Sequence, residues 1–256
     1  MTELLSAFAE IAGLGQAFAL SALLVFLRVG AALALLPAFG EHSVPQRLRL
    51  IIALAFTAIV TPAVATEMPA LTLFVAGSEI VAGLAIGAVF RLFILALQIA
   101  GSIIAQATSL SQIAGGAAPE PQPAIGHLLT AAGLAVAVMA GLHVKLAEVL
   151  ILSYRVFPAG NLAAAAEFST WGLAHIGRAF SLGFSLAAPF TIAALMYNLA
   201  LGAINRSMPA LMVSFIGAPA LSWGGLVLIS ALAPVLLGVW SGALQTFLSI
   251  PFELPR

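Results

Sequence analysis

The chain has 256 residues, of which 62% are hydrophobic and 7% charged, and its nine basic and nine acidic side chains leave no formal net charge. A soluble globular domain carries roughly 25% charged residues, so the composition excludes a soluble globule and requires lipid or other subunits to cover the surface. The basic stripe needed for phosphate contacts is missing, so we expect no nucleic-acid partner. The lack of cysteine excludes disulfides and thiolate chemistry.

Helices are the predicted elements throughout the chain. Long apolar stretches without charge reach the roughly 20 residues that span a bilayer as helix, and the two-residue alternation of a membrane barrel is missing. We therefore predict an all-α, polytopic helical membrane protein with broken helices. The helices are predicted at about 16–36, 46–61, 70–95, 96–113, 125–154, 171–205, 208–217 and 221–249.

Proline divides these helices, because it removes a backbone donor and restricts the residue before it. Helix breaks are predicted at Pro37, Pro45, Pro189, Pro209 and Pro219. The longest break falls between Gln106 and Pro123, in a segment of small residues. Its backbone cannot face lipid, so it lies inside protein or beside water, or it forms an exposed surface turn. We treat residues 1–256 as one unit with a subdivision near residue 161.

Four charged residues interrupt the apolar stretches: Arg28, Glu79, Arg91 and Arg206. Each costs about 2.5–3.5 kcal/mol at mid-bilayer unless it is compensated. Glu79 and Arg91 are too far apart along one helix to pair with each other, so we expect their partners on another helix or another chain.

Catalytic and metal-binding patterns are not found in the sequence. The four histidines show no zinc spacing, and the chain has no aspartate for a Ser/His/acid set, which would need a glutamate instead. We therefore expect neither an enzyme nor a cofactor.

The order of motifs resembles the FliR family of flagellar export components, known as SctT in injectisomes. The opening motifs are Arg28-Val29-Gly30, Pro37-Ala38-Phe39-Gly40, Val44-Pro45-Gln46-Arg47-Leu48-Arg49 and Thr61-Pro62. The central motifs are Glu79-Ile80, Gly83, Gly87, Arg91-Leu92-Phe93 and Ala96-Leu97-Gln98-Ile99-Ala100-Gly101 with Gln106. The later ones are Pro189, Asn198-Leu199-Ala200-Leu201-Gly202, Arg206-Ser207-Met208-Pro209 and Phe215-Ile216-Gly217-Ala218-Pro219.

This resemblance implies a structural, pore-forming subunit of the flagellar protein export gate. Such a subunit resembles a fusion of a FliP-like part, here 1–160, and a FliQ-like part, here 161–256. It assembles with FliP-type and FliQ-type subunits in the inner membrane, at the flagellar basal body, and other export proteins join them. Unfolded flagellar proteins are the cargo, and the chain itself supplies neither catalysis nor a cofactor.

The resemblance also implies roles for particular residues. Arg28, Glu79, Arg91 and Arg206 become buried charges paired across helices and subunits, since complementary charges fix register and partner choice. The long break becomes a pore plug. The plug residues are Ile103, Gln106, Leu110, Ile113, Gly115 and Gly116.

Two departures from the family pattern bear on the gate, at Ala107-Thr108-Ser109 and at Pro119-Glu120-Pro121. The alternative function is a stand-alone small-molecule permease or channel, which would place a polar site at broken helices near the midplane. The sequence leaves the choice between flagellum and injectisome open, although the low-charge C-terminus favours the flagellum.

Overall fold

The computed structural model describes residues 2–40, 44–64, 69–108, 124–161, 165–208 and 213–253. Within these ranges the regular elements are all helices, which confirms the all-α class. They are α1 (Thr2–Leu35), α2 (Gln46–Val64), α3 (Leu73–Ala107), α4 (Ala124–Met139), α5 (Leu142–Val156), α6 (Ala165–Ser207) and α7 (Val213–Ser249).

Five of these helices contain segments long and apolar enough to cross a membrane. The segments are Gly15–Leu35, Gln46–Val64, Leu73–Ala107, Ser169–Ser207 and Pro219–Ser249. Helices α4 and α5 add a sixth if the pair counts as one broken span. The chain is therefore a polytopic helical membrane protein, as predicted.

Proline interrupts the helices less than expected. Helix α6 continues through Pro189 and α7 through Pro219, which corrects the breaks predicted at both positions. Helix α2 likewise contains Pro62. The physical reason is that a membrane offers no water to a freed backbone group, so staying helical and re-pairing locally costs less than unwinding.

The predicted breaks at Pro37 and Pro45 fall between helices. Helix α1 ends shortly before Pro37, and α2 begins directly after Pro45, whose carbonyl accepts the Leu48 and Arg49 N–H groups. Pro209 lies outside the described residues. Helix α3 is continuous, without the boundary predicted after residue 95, whereas residues 125–154 form two helices separated by Gly141 at φ +82°. Glycine adopts that left-handed conformation without the Cβ penalty.

One compact unit comprises residues 1–91, 141–175 and 248–256. In it α1 packs against α2, and α2 packs against α5. Its core is largely aliphatic, with Phe90 also buried. Trp171 joins it by donating its indole N–H to the Pro251 carbonyl at 3.0 Å. Fully buried members are Val25, Val29, Leu36, Val60, Leu146 and Leu150.

The other compact unit comprises residues 92–140 and 176–247. Trp240 lies at its centre, 1% exposed, and its indole N–H donates to the Phe93 carbonyl at 2.8 Å. Gly133 lies beside this ring and makes room for Leu97, since a Cβ there would lie 2.5 Å from a Leu97 methyl. Gly133 thus allows α4 to approach α3 closely.

Each compact unit combines residues from both sides of position 161. The compact units are defined by packing, whereas the FliP-like part, 1–160, and the FliQ-like part, 161–256, are defined by resemblance to other subunits. The subdivision near residue 161 therefore stays a prediction.

Candidate functional site

The charges at Arg28 and Glu79 form a buried ion pair inside the first unit. Arg28 Nε donates to Glu79 Oε2 and Arg28 Nη2 donates to Oε1, both at 2.8 Å. The side chains are 1% and 0% exposed. Two parallel charge-assisted bonds of this kind are the strongest geometry available to an arginine and a carboxylate.

Helix α5 and the turn after it satisfy the rest of the guanidinium. Arg28 Nη1 donates to the Ser153 hydroxyl at 3.0 Å, and Nη2 donates to the Phe157 carbonyl at 2.8 Å. The Tyr154 ring lies under the guanidinium, 3.7 Å from its carbon to the ring centre. The Tyr154 hydroxyl donates to Glu79 Oε2 at 3.0 Å. We call Arg28, Glu79, Ser153, Tyr154 and the Phe157 carbonyl the Arg28 cluster.

Glycines on α3 bring α1 close enough for the ion pair to form. A Cβ on Gly83 would collide with the Arg28 carbonyl and lie 2.9 Å from the Ala31 Cβ. A Cβ on Gly87, one turn further, would collide with the Ala32 carbonyl. Gly83 and Gly87, one turn apart, thus form the surface on which α3 contacts α1. Small residues commonly lie where membrane helices pack closely.

The turn after α5 is held to α3 as well as to Arg28. The Gly160 N–H donates to the Ser78 hydroxyl at 3.2 Å, one residue before Glu79. Gly160 has φ +75°, and a Cβ there would lie 2.9 Å from a Val75 methyl. The Arg28 cluster therefore joins α1, α3 and the end of α5 into one polar contact within an apolar unit.

The other two predicted charges are placed differently. Arg91 on α3 and Arg206 in the last turn of α6 are exposed on this chain. Neither forms an ion pair with a described residue. Lys145 and Glu148 pair with each other at 2.7 Å on the exposed face of α5. That any of the four intramembrane charges contacts another subunit stays a prediction.

Two predicted plug residues lie in the last turns of α3. Ile103 is half-buried and Gln106 is exposed. Leu110, Ile113, Gly115 and Gly116 lie outside the described residues. The end of α3 is itself anchored at Thr108, whose carbonyl accepts the Ser222 hydroxyl of α7 at 3.3 Å.

A cavity of about 250 Å³ lies beside Thr108 in the second unit. Its larger walls are formed by Phe190, Tyr197, Leu221 and Leu228, and small residues of α6 and α7 complete it. The Tyr197 hydroxyl is already used, donating to the Gly217 carbonyl at 3.0 Å. The lining is therefore mainly apolar. Among the described residues, no group of three or more His, Asp or Glu side chains is placed to hold a metal ion.

Sequence reasoning missed Ser153, Tyr154 and the Phe157 carbonyl. The sequence does place both side chains on an apolar helix face. The buried residues of that face follow one another at helical spacing: Leu146, Val149, Leu150, Ser153 and Tyr154. A serine and a tyrosine on an otherwise apolar buried face require polar partners.

Helices long and apolar enough to span a membrane, with an ion pair buried inside the first unit, define a multi-pass α-helical membrane protein. The family model described as bacterial export proteins, family 1, matches residues 19–247. A flagellar biosynthetic protein FliR of Caulobacter vibrioides is 31% identical over 237 residues, which cover 90% of this chain and 94% of that protein.

The similarity extends to FliR proteins of other bacteria. The FliR protein of Escherichia coli is 29% identical, with 82% of this chain and 83% of that protein covered. The Bacillus subtilis protein of the same name is 27% identical, with 77% and 80% covered. The chain belongs to the FliR family of bacterial export proteins, which confirms the family indicated by the motifs.

Proposed function

We propose that this chain is a structural and pore-forming subunit of the flagellar protein export gate. In this role it assembles with FliP-type and FliQ-type subunits in the bacterial inner membrane, at the base of the flagellum, and unfolded flagellar proteins pass through the assembled pore. The family match over residues 19–247 carries the proposal. The relatives described above are all flagellar biosynthetic proteins, which favours a flagellum over an injectisome.

The exposed surface of the chain supports assembly with other membrane subunits. In the apolar window of α7 only 11% of residues are buried, against 56% in α3. Trp223 and Val235 on α7 are 72% and 59% exposed. Lipid alone could cover such a surface, but an intramembrane cation such as exposed Arg91 needs a more polar neighbour than lipid.

The chain performs no catalysis in this proposal. The charged groups of the Arg28 cluster are hydrogen-bonded within the chain, so its role is to fix the positions of α1, α3 and α5. Energy for export comes from other components. The plug combines Ile103 and Gln106 from the last turns of α3 with Leu110, Ile113, Gly115 and Gly116 from the long break, and it closes the resting pore. Its small residues pack without anchoring the segment, and Ile103, Leu110 and Ile113 supply the apolar seal.

Co-purification tests the proposal directly. An affinity-tagged copy of this chain, expressed with untagged FliP-type and FliQ-type proteins from the same genome, should retain both in mild detergent. Without those partners the tagged chain should aggregate or be degraded, because its exposed apolar faces are left uncovered. A monodisperse monomer with a sharp thermal transition, formed equally well with or without the partners, would favour the stand-alone permease instead.

A further inference from the structure

Arg91 is the one charged residue on the exposed face of α3. The helix carries two charged residues, and the other, Glu79, is buried in the Arg28 cluster. Ile80, Leu84 and Ala88 precede Arg91 at helical spacing and are exposed with it. Residues spaced by three or four positions lie on one side of a helix, so Arg91 projects from an apolar stripe. We call Ile80, Leu84, Ala88 and Arg91 the Arg91 face.

The position of Arg91 excludes lipid tails as its neighbours. It lies near the middle of α3, with about 24 Å of helix or more on either side at ~1.5 Å per residue. An uncompensated arginine in the apolar layer is unfavourable, and such residues face protein or water. Arg28 shows what compensation requires, namely a carboxylate with further hydrogen-bond acceptors. No described residue of this chain gives Arg91 an ion-pair partner.

The residues around Arg91 distinguish a protein neighbour from an aqueous channel. Ile80 and Leu84 are each 39% exposed, and a stripe of such side chains is a poor wall for a water-filled lumen. It matches the surface of another apolar helix, and small residues such as Ala88 allow close approach between membrane helices. The face thus combines an apolar packing surface with one unsatisfied positive charge.

We propose that the Arg91 face binds a membrane helix of another gate subunit that carries an aspartate or glutamate among apolar residues, opposite Arg91. This inference rests on the proposed function, because it requires that the chain assembles with other membrane subunits. The carboxylate would fix the depth and register of the partner helix, while the apolar residues supply the packing. Charge complementarity of this kind selects partners more than it adds affinity.

Charge substitutions test the ion pair in the co-expressed complex. Arg91→Leu should lower the yield of intact complex about tenfold or more, since it leaves the partner carboxylate buried without a counter-charge. Arg91→Glu should lower it further, and Arg91→Lys should retain most of it. Arg155→Leu is the matched control, because Arg155 is exposed in the last turn of α5, and its yield should stay near that of the unmodified chain.

Photo-crosslinking identifies what lies against the face. A benzophenone amino acid at Leu84 should, on irradiation, join the chain to another gate subunit within a segment that contains Asp or Glu. Crosslinks to lipid or to exported cargo alone would overturn the inference, as would equal yields for Arg91→Leu, Arg91→Glu and the control. Failure of the unmodified chain to retain any subunit would instead contradict the proposed function, and the two failures are thereby distinguished.

Discussion

The Tyr154 hydroxyl donates to Glu79 Oε2, the same oxygen that accepts the Arg28 Nε–H. Tyr154 therefore contacts both members of the ion pair, the carboxylate through its hydroxyl and the guanidinium through its ring. A side chain that binds cation and anion together fixes the distance between them. In the first unit this holds α5 against the contact between α1 and α3.

Breaking the ion pair should be far more harmful than replacing it. Glu79→Gln leaves Arg28 buried without a counter-charge, and we expect it to destabilise the assembled complex by roughly 3–5 kcal/mol. The double variant Arg28→Met, Glu79→Leu removes both charges and should recover much of that loss, because buried ion pairs are often replaceable by apolar packing. Thermal unfolding of the purified complex measures the difference, and equal midpoints for the single and double variants would contradict it.

The two contacts of Tyr154 can be separated by substitution. Tyr154→Phe removes the hydrogen bond to Glu79 and keeps the ring, so it should cost about 1.5–3 kcal/mol, the range for hydrogen bonds to charged groups. Tyr154→Leu also removes the ring and should cost about 0.5–2 kcal/mol more through the lost cation–π contact. The same thermal assay ranks the variants, and indistinguishable Phe and Leu variants would show that the ring contact contributes nothing.

The close approach of α1 and α3 depends on Gly83. Gly83→Ala places a methyl group against the Arg28 backbone, and we expect a loss of about 1–3 kcal/mol, typical of overpacking. Gly77→Ala is the control on the same helix, because no atom beyond its own stretch of helix lies within 4 Å of its added Cβ. It should be neutral or stabilising by about 0.5–1 kcal/mol, since alanine is the better helix former. A similar loss of stability for both variants would show that the effect comes from helix propensity and not from packing against α1.

On the proposed function, removal of the predicted plug segment should open the pore without dismantling the gate. Deleting residues 109–118 spares Thr108, which contacts Ser222 on α7, so assembly should be retained. We expect ions to leak through the assembled complex, because the apolar seal against water is lost. Conductance of membranes containing the variant measures the leak, with complex yield as the control. Unchanged conductance at normal yield would leave the segment as an ordinary surface turn.

Composition and apolar run length were enough to predict a helical membrane protein, because spanning a bilayer allows few solutions. The cost of intramembrane charge likewise predicted that Arg28 and Glu79 need compensation, and helix geometry predicted that the partner of Glu79 lies on another helix or another chain. The motif order indicated the family. These conclusions depend on the polarity and charge of the residues and on the lipid environment that they require. Residue types are enough to indicate both.

Pairing and helix continuity were decided by tertiary structure. Glu79 could have met any cation of the chain or its partners, and it meets Arg28 because Gly83 and Gly87 let α1 approach α3. Ser153 and Tyr154 contact this ion pair although they lie far from both residues in the sequence. Pro189 and Pro219 break isolated helices by local rules, yet α6 and α7 continue through them. The reason is that packing and the lack of water set the cost of an unpaired backbone group, and neither is a property of one position in the sequence.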